Sequence, residues 1–368
     1  MKLFARVKHF VRFSRKCDFG WSLWNLVHGF SKSTVELNGI TRKNYKAFLS
    51  DREYWYGHPY NGLYSRIIDN KIYLPYLLKD YPEHVPQYYY FVNNGISAMG
   101  AEGVSSHAAF EDFLNLLKKN GKLVLKHIGS SCGKGFYLLE YKADGYLLSG
   151  ETMTETELKS FMLSLRNYVV SEYVQQHEYA LKVNSSSLNT IRMLCVRGAE
   201  DNSFHVVRCF HRFGANGSLV DNIGGGNGCL QFVNIQTGEI EPDGMVNNDN
   251  KGEKYSSYII HPSGKDLTGT MIPGFQEIRD KVIEISNSLP FLKYVGWDIA
   301  VTRDGFKIRG IQMPLAAVTS LLSFCSWLYW GRHHSQPEAS KGRKLGARIL
   351  HHCVDISLTW APSWALPG

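Results

Sequence analysis

The clearest periodic stretch of the chain is "AFEDFLNLLKKNGKLVLKHIGSS", in which Phe110, Phe113, Leu114, Leu116 and Leu117 mark one helical face and Gly121 stops the run. It predicts a helix followed by an apolar strand that delivers Lys126 to a loop of small residues. Beyond that loop, Phe136 to Tyr141 is rich in aromatic and branched residues and reads as a second strand. The stretch "GYLLSGETMTETELKSFMLSLRNYVVSEYV" then predicts a turn, a helix from about Glu155 to Leu165 and a strand from Tyr168 to Tyr173. Thr154 with Glu157 three residues on matches a capping box, Thr152 being the other candidate cap. These elements make a small α+β lobe. Upstream, the opening 100 residues look helical and aromatic, and "NKIYLPYLLKDYPEHVP" predicts a helix ended near Pro82 or Pro86. The second half is strand-rich, with "TIRMLCVRG", "SFHVVRCFHRFG", "GCLQFVNIQTGEI" and "VGWDIAVTRDGFKIRGIQM" separated by glycine and asparagine turns. The insert "NNDNKGEKYSS" reads as a polar loop, and Gln336 to Lys344 as a linker or loop before a final helix.

Composition narrows the picture. A chain of 368 residues with 44% hydrophobic content suffices for two or three lobes and a core that needs no staples. Seven cysteines, an odd number without close metal-ligand spacing, fit a reducing cytoplasm and imply no zinc site. The formal charge of +8 favours polyanions without selecting among them. Its basic residues are spread out, and neither RNA-binding signatures nor paired zinc-finger ligands occur, so no specific nucleic acid is expected. The first 25 residues interleave Phe4, Val7, Phe10, Val11 and Phe13 with Lys2, Arg6, Lys8, Arg12, Arg15 and Lys16, and no uninterrupted signal-peptide core appears. A basic amphipathic helix of this kind suits peripheral contact with the anionic inner face of the cell membrane, or a groove on its own protein. "LAAVTSLLSFCSWLYW", Leu315 to Trp330, is uncharged but short for a membrane span.

The stretch that carries candidate chemistry is "VLKHIGSSCGKGFYLLE". It is not a P-loop, because no Ser or Thr follows Lys134 at the start of a helix. Nor is it a dinucleotide fingerprint, because a strand and not a helix follows the loop. What remains is strand, small-residue loop, strand, with Lys126 at the end of the first strand. Successive backbone N–H groups in such a loop can wrap an anion while the lysine adds a point charge; an ordinary glycine hairpin is the other reading. Cys132 reads as a small loop residue, a reactive thiol being the other reading.

An ordered series extends this pattern: "LVLKHIGSSCGKG", "VVSEYVQQHEYALKVNSSSLNTIRML", "CFHRFGANGSLVDNIGGGNG", "HPSG" before "GTMIP", and "YVGWDIAVTRDGFKI". In this order and spacing, over roughly Ile67 to Pro314, the chain resembles ATP-grasp proteins and most closely their sugar-transfer-associated branch, whose members are linked with bacterial surface polysaccharide synthesis. The resemblance implies an α+β ATP-grasp fold, with nucleotide between two α+β lobes; the residues ahead of it, read above as helical, add an N-terminal helical extension. With the flanking readings, the chain divides into a helical extension (1–66) carrying the basic stretch that suits membrane contact or a groove on its own protein, an N-terminal ATP-grasp region (67–121), a small nucleotide-binding lobe (122–178), a C-terminal lobe with the catalytic and metal region (179–315) and a C-terminal helical extension (316–368).

The same resemblance implies roles. Lys126, Gly129, Ser130, Ser131, Gly133, Lys134 and Gly135 take the places that touch the phosphates of ATP. Glu172, Tyr173 and Val174 take the adenine hinge, and Glu178 that of a ribose-hydroxyl acceptor, a surface Glu beside a β-edge being the alternative. Arg192 and Arg212 become candidates for holding a substrate carboxylate and the reaction intermediate, although a structural ion pair also explains an arginine among core strand residues. In "LVDNIGGGNG", Asn222 beside Asp221 approaches acceptor or phosphate, or makes a tight polar turn.

The metal site is where the pattern breaks. Asp298 in "GWDIAV" fits the first Mg2+ ligand, but where the family reads approximately "IEGN" this chain reads "IRGIQMP". One register puts Gly310 at the usual glutamate and Gln312 at the usual asparagine; the other puts Arg309 at the glutamate. Gln312 can offer a neutral oxygen to Mg2+, but in either register the acidic bridge is missing. The implied activity is an ATP-dependent carboxylate–amine ligase acting through an acylphosphate, joining an amino acid or other amine to a uronic-acid sugar or polysaccharide precursor. A degenerate nucleotide-binding or scaffold protein, and a sugar kinase, are the alternatives.

Overall fold

The computed structural model describes residues 23–30, 35, 40–47, 50, 61–100, 103–130, 133–143, 145–198, 200–215, 217–222, 228–247, 255–258 and 260–312. The basic stretch before residue 23, the apolar segment 315–330, the linker 336–344 and the side chain of Gln312 lie outside the described residues, as do Ser131 and Cys132 of the glycine loop.

The strands, several of them buried along most of their length, assemble into two sheets. The first joins β1 (Tyr88–Val92), β2 (Ile96–Gly100), β3 (Gly103–His107), β4 (Lys122–His127), β5 (Phe136–Lys142), β6 (Gly145–Leu148), β7 (Glu151–Met153) and β8 (Tyr168–Glu172) in the order β3-β2-β1-β8-β4-β5-β6-β7. Successive side chains of a strand face opposite ways. Leu123 and Leu125 of β4 therefore pack with Leu139 and Val170 against Phe113 and Leu117 of the helix Phe110–Asn120 and Leu158 and Met162 of the helix Glu155–Ser164. Val124 and Lys126 point the other way. Gly121 ends the first helix at φ 71°, donating its N–H to the Leu117 carbonyl. Thr154 and Glu157 form the capping box at the start of the second.

The other sheet joins β9 (Thr190–Arg197), β10 (Phe204–Gly214), β11 (Gly228–Val233), β12 (Ile240–Asn247), β13 (Tyr255–Tyr258), β14 (Tyr294–Thr302) and β15 (Gly305–Gln312) in the order β13-β12-β11-β10-β9-β14-β15. The helix Phe275–Asn287 buries Phe275, Ile278, Val282 and Ile285 in a core shared with Trp297 and Cys195, and the indole of Trp297 donates to Ser286 Oγ at 2.9 Å.

Three expectations need correction. The region read as helical and aromatic up to residue 100 contains β1 and β2: "YYYFV" is an aromatic strand, and Asn94, at φ 58°, turns it back into Ile96. The single helix expected over "NKIYLPYLLKDYPEHVP" is instead a 3-10 turn (Lys71–Tyr73), one helical turn (Leu74–Leu77) and another 3-10 turn (Pro82–His84), because Pro75 is tolerated only in a first turn. The polar insert ends in strand β13, not in loop.

The chain divides into two compact units, one of residues 66–196 and 204–313, which carries the sheets, and one of 1–65, 197–203 and 314–368. Within the latter, the helix Leu23–His28 contributes Trp24 to a small cluster around Phe30 and Ile40. No described helix is long and apolar enough to cross a membrane.

Candidate functional site

The glycine loop is a tight turn held by its own backbone and by β4. His127 N–H donates to the Gly135 carbonyl at 3.1 Å, Phe136 N–H to Gly133 at 3.2 Å, and Ser130 Oγ to the Lys134 carbonyl at 2.5 Å. Glycine is required at two positions. At φ 75° a Cβ on Gly133 would lie 2.7 Å from Val220, and at φ 66° one on Gly135 would lie 2.8 Å from the Tyr168 hydroxyl.

Three cations gather at this loop. Lys126 is 7% exposed and has no hydrogen-bonding or ion-pairing partner among the described residues. Lys71 donates its backbone N–H to the Ile128 carbonyl at 3.0 Å and its ammonium to the Ser130 carbonyl, so it grips the loop from the 3-10 turn. Arg309 lies with its guanidinium 5.6 Å from the centre of the Phe136 ring, and Phe136 is the cross-strand partner of Lys126. Burial first, and then the Arg309 and Lys71 charges, pull the Lys126 ammonium well below its ordinary range. Burial and then Arg309 pull Lys71 from 10.5 to about 8. The Asp298, Glu172 and Asp69 carboxylates offset this only in part, and a polyanion seated among the three cations offsets it further.

Two buried hydroxyls accompany them. Ser171 and Tyr88 face each other across β8 and β1, both deeply buried, and neither hydroxyl has a hydrogen-bond partner among the described residues. Ser171 is also in register with Val124, whose side of β4 is that of Lys126. Unsatisfied hydroxyls beside these cations fit a bound, oxygen-rich polyanion such as a nucleotide.

Arg192 and Arg212, expected to hold a substrate carboxylate, both hold a carboxylate of the chain itself. Arg192 on β9 and Asp298 on β14 are in register; Nε donates to Oδ1 and Nη2 to Oδ2 at 3.0 Å, a bidentate pair. Arg212 Nη2 lies 2.9 Å from the same Asp298 Oδ1 and 3.6 Å from Asp221 Oδ2. Asp221 in turn accepts from the backbone N–H of Thr190 at 3.0 Å and from its hydroxyl. Burial alone would raise the Asp298 pKa, but the two guanidiniums hold it below the usual carboxylate range. Asn222 follows Asp221, and residues 223–227 after it lie outside the described residues.

The remaining candidates are spread along β8 and the segment after it. Glu172 accepts from the Gln87 N–H at 2.9 Å and returns its own N–H to Gln87, Val174 is buried, and Tyr173 lies under the Lys122 ammonium at 5.0 Å. Glu178 is exposed and opens the short helix Glu178–Leu181. Gly129 and Lys134 sit in the loop beside Ser130.

Mg2+, which the resemblance implies, asks for several oxygen ligands. The residues at Asp298 do not fit it: both carboxylate oxygens are taken by guanidiniums, and the residue directly opposite on β15 is Gly310. Among the described residues no group of three or more His, Cys, Asp or Glu could hold a metal ion. Ile299 pairs with Ile308 and Asp298 with Gly310, so Arg309 is the extra residue of a β-bulge, a device that re-aims a side chain.

Sequence reasoning missed Lys71 and gave Arg309 no role of its own. The lysine follows "DN" just ahead of the apolar run "IYLPYLL", and Asn70 caps that turn by accepting from the Ile72 N–H at 3.1 Å; this is the signal that was available.

No curated protein matches the chain by sequence. Among solved structures it is similar to the D-alanine–D-alanine ligase of Bacillus anthracis (10% identity, covering 79% of this chain and 68% of that one, TM-score 0.37). It is similar also to D-alanyl-alanine synthetase A of Vibrio cholerae (10%, 82% and 67%, TM-score 0.45) and to the ATP-grasp ligase PsnB (10%, 81% and 62%, TM-score 0.33). The family model described as sugar-transfer associated ATP-grasp matches residues 51–307, well over half of the 368. With its two α+β lobes and its glycine loop between β4 and β5, the chain belongs to the sugar-transfer associated ATP-grasp family.

Proposed function

We propose that the protein is an ATP-dependent carboxylate–amine ligase that activates its acceptor as an acylphosphate. The observation that carries this reading is the set of three cations, Lys71, Lys126 and Arg309, gathered at the glycine loop. On this reading an oxygen of the acceptor carboxylate attacks the γ-phosphorus of ATP, the bond to the β,γ-bridging oxygen breaks, and ADP leaves with the electron pair. Lys71, Lys126 and Arg309 neutralise the charge that builds on the phosphate oxygens. An amine then attacks the acyl carbon, phosphate leaves, and the amide keeps the amine's nitrogen after loss of a proton. The family's link with sugar transfer supports a uronic-acid carboxylate on a polysaccharide precursor as acceptor and an amino acid as amine.

A second reading is nucleotide binding without turnover. It is favoured by the Asp298 carboxylate, which is occupied by Arg192 and Arg212. One experiment separates the two. Purified protein is given ATP, glucuronic or galacturonic acid derivatives and a panel of amino acids, and ADP, phosphate and amide are measured. Equal, amine-dependent release of ADP and phosphate with an amide product supports the ligase. A phosphorylated sugar with no free phosphate makes it a kinase, and bound ATP that stays intact supports the second reading.

Nucleotide affinity should also depend on pH. A triphosphate seated against Lys71 raises its pKa from about 8, so binding takes up a proton near that pH. Affinity is full below about 8 and falls as pH rises through it, by at most about tenfold per unit for one group. Calorimetric titrations in two buffers of different ionisation enthalpy count the protons; no uptake at pH 8 removes Lys71 from the phosphates.

A further inference from the structure

We infer that Arg309 stands in for a divalent cation, so that this chain holds the phosphates of ATP with Lys71, Lys126 and Arg309 and without a protein-bound metal. The inference rests on the nucleotide reading above and says what neutralises the phosphates.

Three observations lead to it. The first is that the acid at the metal position is occupied: Asp298 is bound by two guanidiniums on 5% and 6% exposed residues, and a cation arriving there would have to displace both. The second is the empty place opposite. A Cβ on Gly310 would sit 3.8 Å from Asp298 Oδ2, an ordinary contact, so the backbone leaves room for a side chain where this sequence supplies none. The third is the bulge. By inserting Arg309 between Ile308 and Gly310, β15 delivers a guanidinium over Phe136, the residue paired with Lys126.

Charge and chemistry agree with this placement. Arg309 is only loosely engaged inside the protein, its Nη1 lying 4.0 Å from Asp221 Oδ1 with 16% of the side chain exposed. Asp221 is already satisfied by Thr190 and faces Arg212, so it does not consume the Arg309 charge. A guanidinium presents a rigid fork of donors that matches two phosphate oxygens, where a lysine offers a point charge. Two ammonium groups and one guanidinium supply nearly the charge that a metal and its usual lysines would bring. They do so with donors that need no carboxylate ligands.

The test uses the full chain. ATP affinity is measured by calorimetry in EDTA and in excess magnesium, with adenosine as control, for the native protein and for Arg309→Gln and Gly310→Glu. We expect native affinities in the two media to agree within about threefold, and Arg309→Gln to lose about tenfold for ATP in EDTA with adenosine unchanged. Gly310→Glu, which places a carboxylate beside Asp298, is expected to bind ATP more tightly in magnesium than in EDTA. Circular dichroism checks that both variants fold; if Arg309→Gln does not, Arg309→Lys keeps the charge without the fork and should lose affinity in EDTA. Native binding that needs magnesium, or an Arg309 variant that folds and keeps full affinity in EDTA, overturns the inference and leaves the nucleotide reading standing. Failure of the native protein to bind ATP in either medium overturns both.

Discussion

Replacing Asp298 with asparagine is expected to destabilise the chain by about 3–5 kcal/mol at neutral pH, the usual cost of removing one partner of a buried ion pair. Arg192 and Arg212 would be left facing each other across a neutral amide in the interior of the second sheet, with Trp297 and Ile299 on either side of the substituted position. The transition midpoint in urea is the measurement, at constant slope so that the shift reports stability. A carboxylate kept free for a metal behaves oppositely: its removal from a metal-free protein relieves repulsion and leaves stability the same or higher. A fall of less than about 0.5 kcal/mol, the range of surface substitutions, therefore removes the ion pair from the account of this site. Arg192→Met combined with Asp298→Leu should recover part of the loss, since replacing a buried pair by apolar residues is often neutral.

Lys126→Met is expected to weaken ATP by about 100-fold, about 2.7 kcal/mol, and to leave adenosine unchanged. The ammonium is buried at the end of β4 with no hydrogen-bonding partner among the described residues, and an anion of the ligand would satisfy it. Methionine keeps the stem and removes the charge, so the packing beside the cross-strand partner Val169 is retained. The same substitution should stabilise the empty protein, because it deletes a desolvated cation next to Lys71 and Arg309. Opposite signs for affinity and stability are the signature of a residue kept for its ligand. Calorimetry and thermal unfolding read the two; equal loss of ATP and adenosine would place Lys126 away from the phosphates.

Local chemistry was legible in the sequence wherever neighbours along the chain decide the structure. The spacing of Phe110, Phe113, Leu114 and Leu117, the stop at Gly121 and the reciprocal Thr154 and Glu157 cap all lie within one or two helical turns. Short strands were harder. "YYYFV" between Pro86 and the Asn93–Asn94–Gly95 turn carries a strand signal, but it was submerged in a region read by its aromatic content alone. The site depends on longer links. Arg192 and Asp298 are 106 residues apart, and the grip of Lys71 on Ser130 spans 59. Whether "IRGIQ" places an arginine or a glycine opposite Asp298 turns on one residue of register, which the bulge at Arg309 settles by leaving Arg309 unpaired. The change in the metal motif was visible as a missing acid; that its aspartate is instead neutralised by two arginines required the fold.

The seven-stranded sheet also contains three thiols, Cys195, Cys209 and Cys229, all wholly shielded from solvent. Burial pushes the Cys195 thiol up to about 12 and Cys209 well above its ordinary range, so neither offers a thiolate to an alkylating reagent while the sheet is closed. The chain thus carries its own stopwatch for breathing. With the other four cysteines changed to serine, the rate at which iodoacetamide consumes each remaining sulfur times the opening of β9, β10 and β11 separately, with no foreign probe in the molecule.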